Sequence, residues 1–296
     1  MSVNKLPPQA KYAVFYVREN AQIPPQLGQF KPIPSFHGVA LPTGADKYTW
    51  VAWFAFLSSN ATTGGDKVIW RNLQICGDNA GGIWRPQTGQ LVIQDCGNSS
   101  SPNSGFSVGV TTNLNPLVWH YAGVSRDGSS MVAVIDGVVV ARRSDLGTYS
   151  YTGTDSWLFG ADLGFSNVAI AYIAIYDKAL SLDDLVAIYN GSRIPGAVGE
   201  YIGDNYDPTT GIWHDSSGNG NDAYPFCGSS NCGCTPSGCN CSPCSSPTQL
   251  PYKAPITSAY IVALAPTSVW LWVGIGVAAA VALGAGLYVA HKKGLF

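Results

Sequence analysis

Short apolar runs broken by turn formers fill most of this chain, and their lengths suit strands rather than helices. Tyr12 to Val17, Tyr48 to Phe54, Val68 to Ile75, Gly82 to Arg85 and Gln90 to Gln94 are each β-rich, separated by sequences such as GDNAG and PQTG. Val118 to Ser125 and Met131 to Ile135 flank Arg126-Asp127-Gly128, which predicts a hairpin. Val138 to Arg142 resumes after Asp136-Gly137. One helix is expected, Leu182 to Tyr189, with Ser181 as N-cap and Asp183-Asp184 in its first turn. Many short strands with almost no helical periodicity predict an all-β sandwich or barrel.

A different pattern closes the chain. Val269 to Ala290 are twenty-two residues without a charge, followed by His291-Lys292-Lys293. As a helix that run crosses a hydrocarbon core of about 30 Å, so a single C-terminal transmembrane span is expected. Gly276, Ala280 and Gly284 recur every four residues along it, a small-residue stripe compatible with close helix packing and a homo-oligomer. The basic tail favours the cytoplasmic side, which puts the large domain outside. Against that, the longest N-terminal apolar run is the six residues Tyr12 to Val17, shorter than a signal peptide requires. A tail anchor with a cytosolic domain is the alternative. A virus particle assembled in the cytosol around lipid reconciles the two, and places the domain on the virion exterior.

Charged residues make up 11% of the chain, against about 25% in ordinary globular proteins, and Gly, Ser, Thr, Asn and aromatics fill the gap. The net charge is −2 with no basic block outside the tail, so nucleic-acid binding has no electrostatic support. Sequons begin at Asn60, Asn98 and Asn190.

Eight cysteines fall into two groups. Cys76 and Cys96 lie within the strand-rich region. Cys227, Cys232, Cys234, Cys239, Cys241 and Cys244 crowd into eighteen residues with Gly, Ser and Pro. A disulfide knot is the leading reading, with a thiolate metal site or free thiols as rivals, and six cysteines leave fifteen pairings open. Disulfides point to an oxidising exterior or a hyperthermophilic host. If three strands between Cys76 and Cys96 form a meander, the two cysteines start about 9.5 Å apart, beyond the roughly 7 Å reach of a bridge. Gly77 and Gly97 allow the local bending that a Cys76–Cys96 bridge needs.

Three segments carry a family resemblance. Trp119-His120-Tyr121-Ala122-Gly123-Val124-Ser125-Arg126-Asp127-Gly128 with Val134-Ile135-Asp136-Gly137 resembles the WHHVAVTRDG…YIDG hairpin of laminin-G-like domains. Ile173 to Ser181, with Leu185 and Tyr189, is similar to the segment that closes those domains, and Tyr48 to Phe54 sits where they have a FTISAWF strand. The resemblance covers residues 35–192 and implies a two-sheet jelly roll of the concanavalin A-like lectin/glucanase superfamily. The family's opening D.SGNGN segment has its counterpart here in Asp215 to Asp222, after the helix instead of before the strands. Either the jelly roll is circularly permuted, with Tyr201 to Trp213 completing it, or a second copy begins there. Permutation is the preferred reading, since jelly-roll termini lie close together.

Hydrolysis on this scaffold needs paired carboxylates, as in the E-x-D-x-x-E strand that glucanases of the superfamily share. The chain has only Glu19 and Glu200, both outside the recognised strands, and no convincing aspartate pair, so no enzyme is expected. Carbohydrate binding needs only aromatic faces and amide or carboxylate groups on loops. The candidate platforms are Trp84, Tyr149, Tyr151 and Trp157, next to Gly/Ser/Thr-rich loops, whereas Trp50, Trp53 and Trp119 read as core. Asp215, Asn219, Asn221 and Asp222 could coordinate calcium, the one cofactor under consideration; the other reading is a tight turn.

The resulting organisation is an extended arm (1–34), the jelly roll (35–226), a cysteine-rich stalk (227–250), a linker (251–268), the span (269–290) and a basic tail (291–296). The expected role is surface display: a virion spike that recognises cell-envelope glycans for host attachment, or a cellular adhesin, or a coat protein that binds only other coat proteins and membrane lipid.

Overall fold

The computed structural model describes residues 5–16, 35–40, 46–57, 66–71, 81–85, 91–95, 106–110, 114, 118–147, 156–160, 167–226, 234–235, 238–239 and 250–256. In chain order the elements are β1 (Tyr12–Tyr16), β2 (Ser35–Ala40), β3 (Lys47–Phe56), β4 (Asp66–Arg71), β5 (Gly81–Arg85), β6 (Leu91–Asp95), β7 (Phe106–Val110), β8 (His120–Asp127) and β9 (Ser130–Ile135). There follow β10 (Val138–Arg143), β11 (Ser156–Phe159), β12 (Val168–Tyr176), α1 (Leu182–Tyr189), β13 (Gly199–Tyr206), β14 (Trp213–Asp215), β15 (Tyr224–Phe226), β16 (Cys234–Thr235), β17 (Gly238–Cys239) and β18 (Tyr252–Pro255).

One sheet runs β10-β9-β8-β3-β12-β1-β18, with β13 and β14 branching from β12, and the other runs β15-β2-β11-β4-β5-β6-β7. The described residues thus form the two-sheet, all-β sandwich that the short apolar runs predict. The expected span, 269–290, lies outside the described residues, among which no helix is long and apolar enough to cross a membrane.

Alternation along β3 explains the layering. Tyr48, Trp50, Ala52, Phe54 and Phe56 face the other sheet and pack with Val68, Ile83, Leu91, Ile93 and Phe159. Val51, Trp53 and Ala55 face the opposite way, against Leu185 and Ile188 of α1. With both faces covered, the central strand β12 is apolar at nearly every position (VAIAYIAIY) and buried throughout.

The helix spans the expected residues, and Ser181 and Asp184 close a reciprocal capping box at its start. Gly123 lets it approach: a Cβ there would stand 3.3 Å from the Leu185 side chain and 3.0 Å from Val51. Burying Leu185 and Ile188 contributes about 3–6 kcal/mol by side-chain transfer. Tyr189 stacks on Trp53, with ring centres 5.5 Å apart. Trp50, Trp53 and Trp119 are all buried, in line with the core reading.

Two strands lie outside the boundaries expected for the jelly roll. β1, from the expected arm, is buried between β12 and β18, and β18, from the expected linker, forms the edge beside it. β12 shares one edge between two partners: Val168 to Ile170 pair with β1, and Tyr172 to Ile175 pair with β13. Gly203 sits at the seam, where a Cβ would come within 2.0 Å of the Tyr12 carbonyl oxygen. Asp204 next to it accepts from the Lys11 and Tyr12 amides at 2.7 and 3.3 Å. On the far side the Ile256 amide donates to the Lys11 carbonyl. Residues 199–226 add β13 and β14 to one sheet and β15 to the other.

Glu200 also departs from expectation, because it lies within β13 rather than outside the strands. The β4-β5-β6 meander forms, but Cys76 and Cys96 lie outside the described residues, as do Cys227, Cys232, Cys241 and Cys244. Cys234 and Cys239 are register partners across β16 and β17.

Candidate functional site

Two of the four expected aromatic platforms, Trp84 and Trp157, lie on strands of the second sheet. Trp84 on β5 is the register partner of Lys67 and Val92, and Trp157 on β11 is the partner of Arg71. β4 runs between them, and Lys67 and Arg71 lie four positions apart on it. The two tryptophan backbones are therefore roughly 17 Å apart. Their side chains, and Tyr149 and Tyr151 altogether, lie outside the described residues.

The Asp215 loop is described in full, and its polar groups are turned on one another. Asp215 Oδ1 accepts from the Glu200 and Ser217 amides, both at 2.9 Å. Its Oδ2 accepts from the Ser217 hydroxyl at 2.7 Å and the Asn221 amide at 3.0 Å. Asp222 Oδ1 accepts from the Asp215 amide at 2.8 Å, and its Oδ2 pairs with His214 Nδ1 at 3.0 Å. The Asn219 and Asn221 amide groups donate to the Ala197 and Val198 carbonyls at 2.8 and 2.7 Å. Gly218 and Gly220 supply positive φ angles of +90° and +72° that let the chain turn so tightly.

Among the described residues no group of three or more His, Cys, Asp or Glu side chains comes together to hold a metal. The hydrogen bonds of Asp215, Asn219, Asn221 and Asp222 form the tight turn that is the other reading of this segment. The loop ties β14 to β13, and the Tyr201 hydroxyl fixes its end by donating to the Asn221 carbonyl at 2.7 Å.

Two further polar constellations have the ingredients of chemistry. Glu200 is buried, accepts from the Tyr172 hydroxyl at 2.8 Å and Arg193 Nε at 2.9 Å, and takes a second bond from Arg193 Nη2. Burial, with the Glu200 charge nearby, raises the Tyr172 hydroxyl well above its ordinary pKa. This fully paired carboxylate braces β12 against β13 and the segment after α1. His120 Nδ1 lies 2.8 Å from Asp136 Oδ2, and Asp136 Oδ1 accepts from the Tyr121 amide. The other imidazole nitrogen is buried with no hydrogen-bond partner among the described residues.

No family model and no curated protein matches this chain. Solved structures do resemble it in fold. A Bacteroides ovatus protein named for carbohydrate binding matches at 13% identity and a TM-score of 0.52, over 73% of this chain and 57% of its own. A SAP-like pentraxin of Limulus polyphemus matches at 12% identity and 0.43, over 63% of this chain and 86% of its own. The Ruminococcus gnavus sialidase domain CBM40, solved with α2,3-sialyllactose, matches at 13% and 0.39, over 54% of this chain and all of its own. At such identities the likeness concerns the fold alone. The likeness to the Bacteroides protein fits a two-sheet β-sandwich, and this chain spans little more than half of that protein's length.

One group of polar residues escaped the sequence reading: Ser125, Asp127, Ser130, Arg142 and Ser144, which border an open cavity on the first sheet. Their alternation with Val124, Met131 and Ala133 along the hairpin was the available signal.

Proposed function

We propose that this chain is a membrane-anchored glycan-recognition protein, a laminin-G-like jelly roll carried on the outside of a virion or cell by the apolar run 269–290. The observation that carries this reading is the sandwich itself, whose fold matches that of a carbohydrate-binding protein over most of the chain. The polar constellations of the described residues point the same way. Glu200 is spent on Arg193 and Tyr172, Asp215 on its own loop, and Asp136 on the hairpin, so the carboxylates serve structure, and binding rather than turnover is the proposed activity.

Only thirteen residues separate the end of β18 from Val269. On this reading the sandwich stands close to the lipid surface. Host attachment through envelope glycans is the role such a display serves.

The full chain, reconstituted in lipid nanodiscs, should bind a subset of envelope polysaccharides saturably, with competition by the same sugars in solution. Trp84→Ala and Tyr151→Ala should each weaken that binding. Folded protein that binds none of them would replace this reading with a structural coat.

A further inference from the structure

α1 covers only part of the outer face of the first sheet. It lies over Val51, Trp53, Tyr121 and Val134, and the same face continues beyond its N-terminus. There an open-mouthed cavity of about 650 Å³ crosses the ends of three strands. Val124 and Ala133 face the sandwich interior, so alternation turns Ser125 and Asp127 of β8, Ser130 and Val132 of β9, and Arg142 of β10 outward. The register aligns them in rows, with Ser125 and Arg142 both opposite Val132, and Asp127 opposite Ser130. Ala179, Leu180 and Ser181 form the remaining wall, and Ser144 borders Arg142.

The charges around the cavity do not cancel. Asp127 is paired with Lys47 at 2.8 Å. Asp145 grips Arg143 through two bonds, at 2.8 and 2.9 Å. Asp184 is spent on the helix cap. Arg142 is exposed and has no carboxylate partner among the described residues. Ser125 and Ser181 already use their hydroxyls on the Leu180 carbonyl and on Asp184. Among the described residues, no hydrogen bond holds the hydroxyls of Ser130 or Ser144.

We infer that this cavity binds a carboxylate-bearing saccharide. Arg142 takes the carboxylate through its planar fork of N–H donors, Ser130 and Ser144 take ring hydroxyls, and Val132 with Ala179 receives the C–H face of the ring. The volume falls within the ~300–1,000 Å³ usual for small-ligand clefts. This rests on the glycan-recognition reading and adds to it a place and a ligand charge.

The test uses the full chain in nanodiscs with galacturonate and glucuronate tetrasaccharides, each compared with its methyl ester, which has the same shape without the charge. The acid forms should bind roughly tenfold or more tightly than the esters, as a charge-assisted fork implies. Arg142→Glu, at an exposed position, should remove that preference with the fold unchanged by circular dichroism. Ala179→Trp, which fills the cavity without changing charge, should likewise remove the preference for the acid. Equal affinity for acid and ester, or full binding by Arg142→Glu, overturns the site. If the chain then still binds neutral glycans, only this site falls and the glycan-recognition reading stands. If it binds no saccharide at all, both fall.

Discussion

Replacing Gly203 with Ala tests whether β1 is an integral strand, because two physical effects of opposite sign meet there. In an unobstructed site Gly→Ala stabilises by about 0.4–1 kcal/mol through the lost entropy of the unfolded chain. At Gly203 the new Cβ would lie 2.0 Å from the Tyr12 carbonyl oxygen. An ordinary carbon–oxygen contact needs about 3.3 Å, so one strand must retreat by roughly 1.3 Å. That shift strains the two amide bonds to Asp204, from Lys11 and Tyr12, and the Ile256-to-Lys11 bond that holds β18. Three hydrogen bonds at about 1 kcal/mol each, less the entropic gain, give a net loss of about 2–3 kcal/mol. Urea unfolding of the full chain in detergent, followed by tryptophan fluorescence, reads the difference at unchanged slope. A Gly203→Ala chain as stable as the parent, or more so, would show that β1 does not occupy this seam.

Other expectations follow from particular contacts. Ser181→Ala removes one half of the capping box and should cost about 1 kcal/mol of stability, read as a lowered urea midpoint. Asp215→Ala leaves the donors of Glu200, Ser217 and Asn221 without their acceptor and should lower the melting temperature, whereas a chelator should leave the melting temperature of the parent chain unchanged. Burial pushes the Tyr176 hydroxyl up to about 12 and raises those of Tyr16, Tyr121, Tyr172 and Tyr206 as well. Unfolded tyrosine ionises near 10, so the folded state holds these protons longer; the stability they contribute is complete below pH ~10 and is lost as pH rises through about 12 and beyond. Tyrosinate absorbance should therefore lag behind that of a denatured control and then rise together with loss of fold.

The parts legible in the sequence are those where local signals and tertiary packing agree. Ser181, the two aspartates and the spacing of Leu185 and Ile188 mark the helix, because caps and an apolar stripe are local chemistry. The Asp-Gly turns locate the hairpins of β8, β9 and β10 for the same reason, with Asp136 at φ +49° and Gly137 at +79°. β18 was hidden because Tyr252 to Pro255 is four residues bounded by prolines, and only pairing with β1 makes it a strand. β1 was visible as a strand, but its place in the sheet was not, since that depends on Gly203, far along the chain. The partners of the Asp215 loop were hidden for a related reason, since they include the Glu200 amide from a neighbouring strand. The Arg142 cavity draws on three strands and the loop before α1, so its rows appear only once the register is fixed.

The most direct test of the glycan-recognition claim is a printed array of neutral and acidic glycans, probed with the full chain in nanodiscs over a range of concentrations. The account predicts dose-dependent binding to a related subset, displaced by the same glycans in solution. Uniform background across the array, from protein that unfolds cooperatively and is therefore folded, would contradict it.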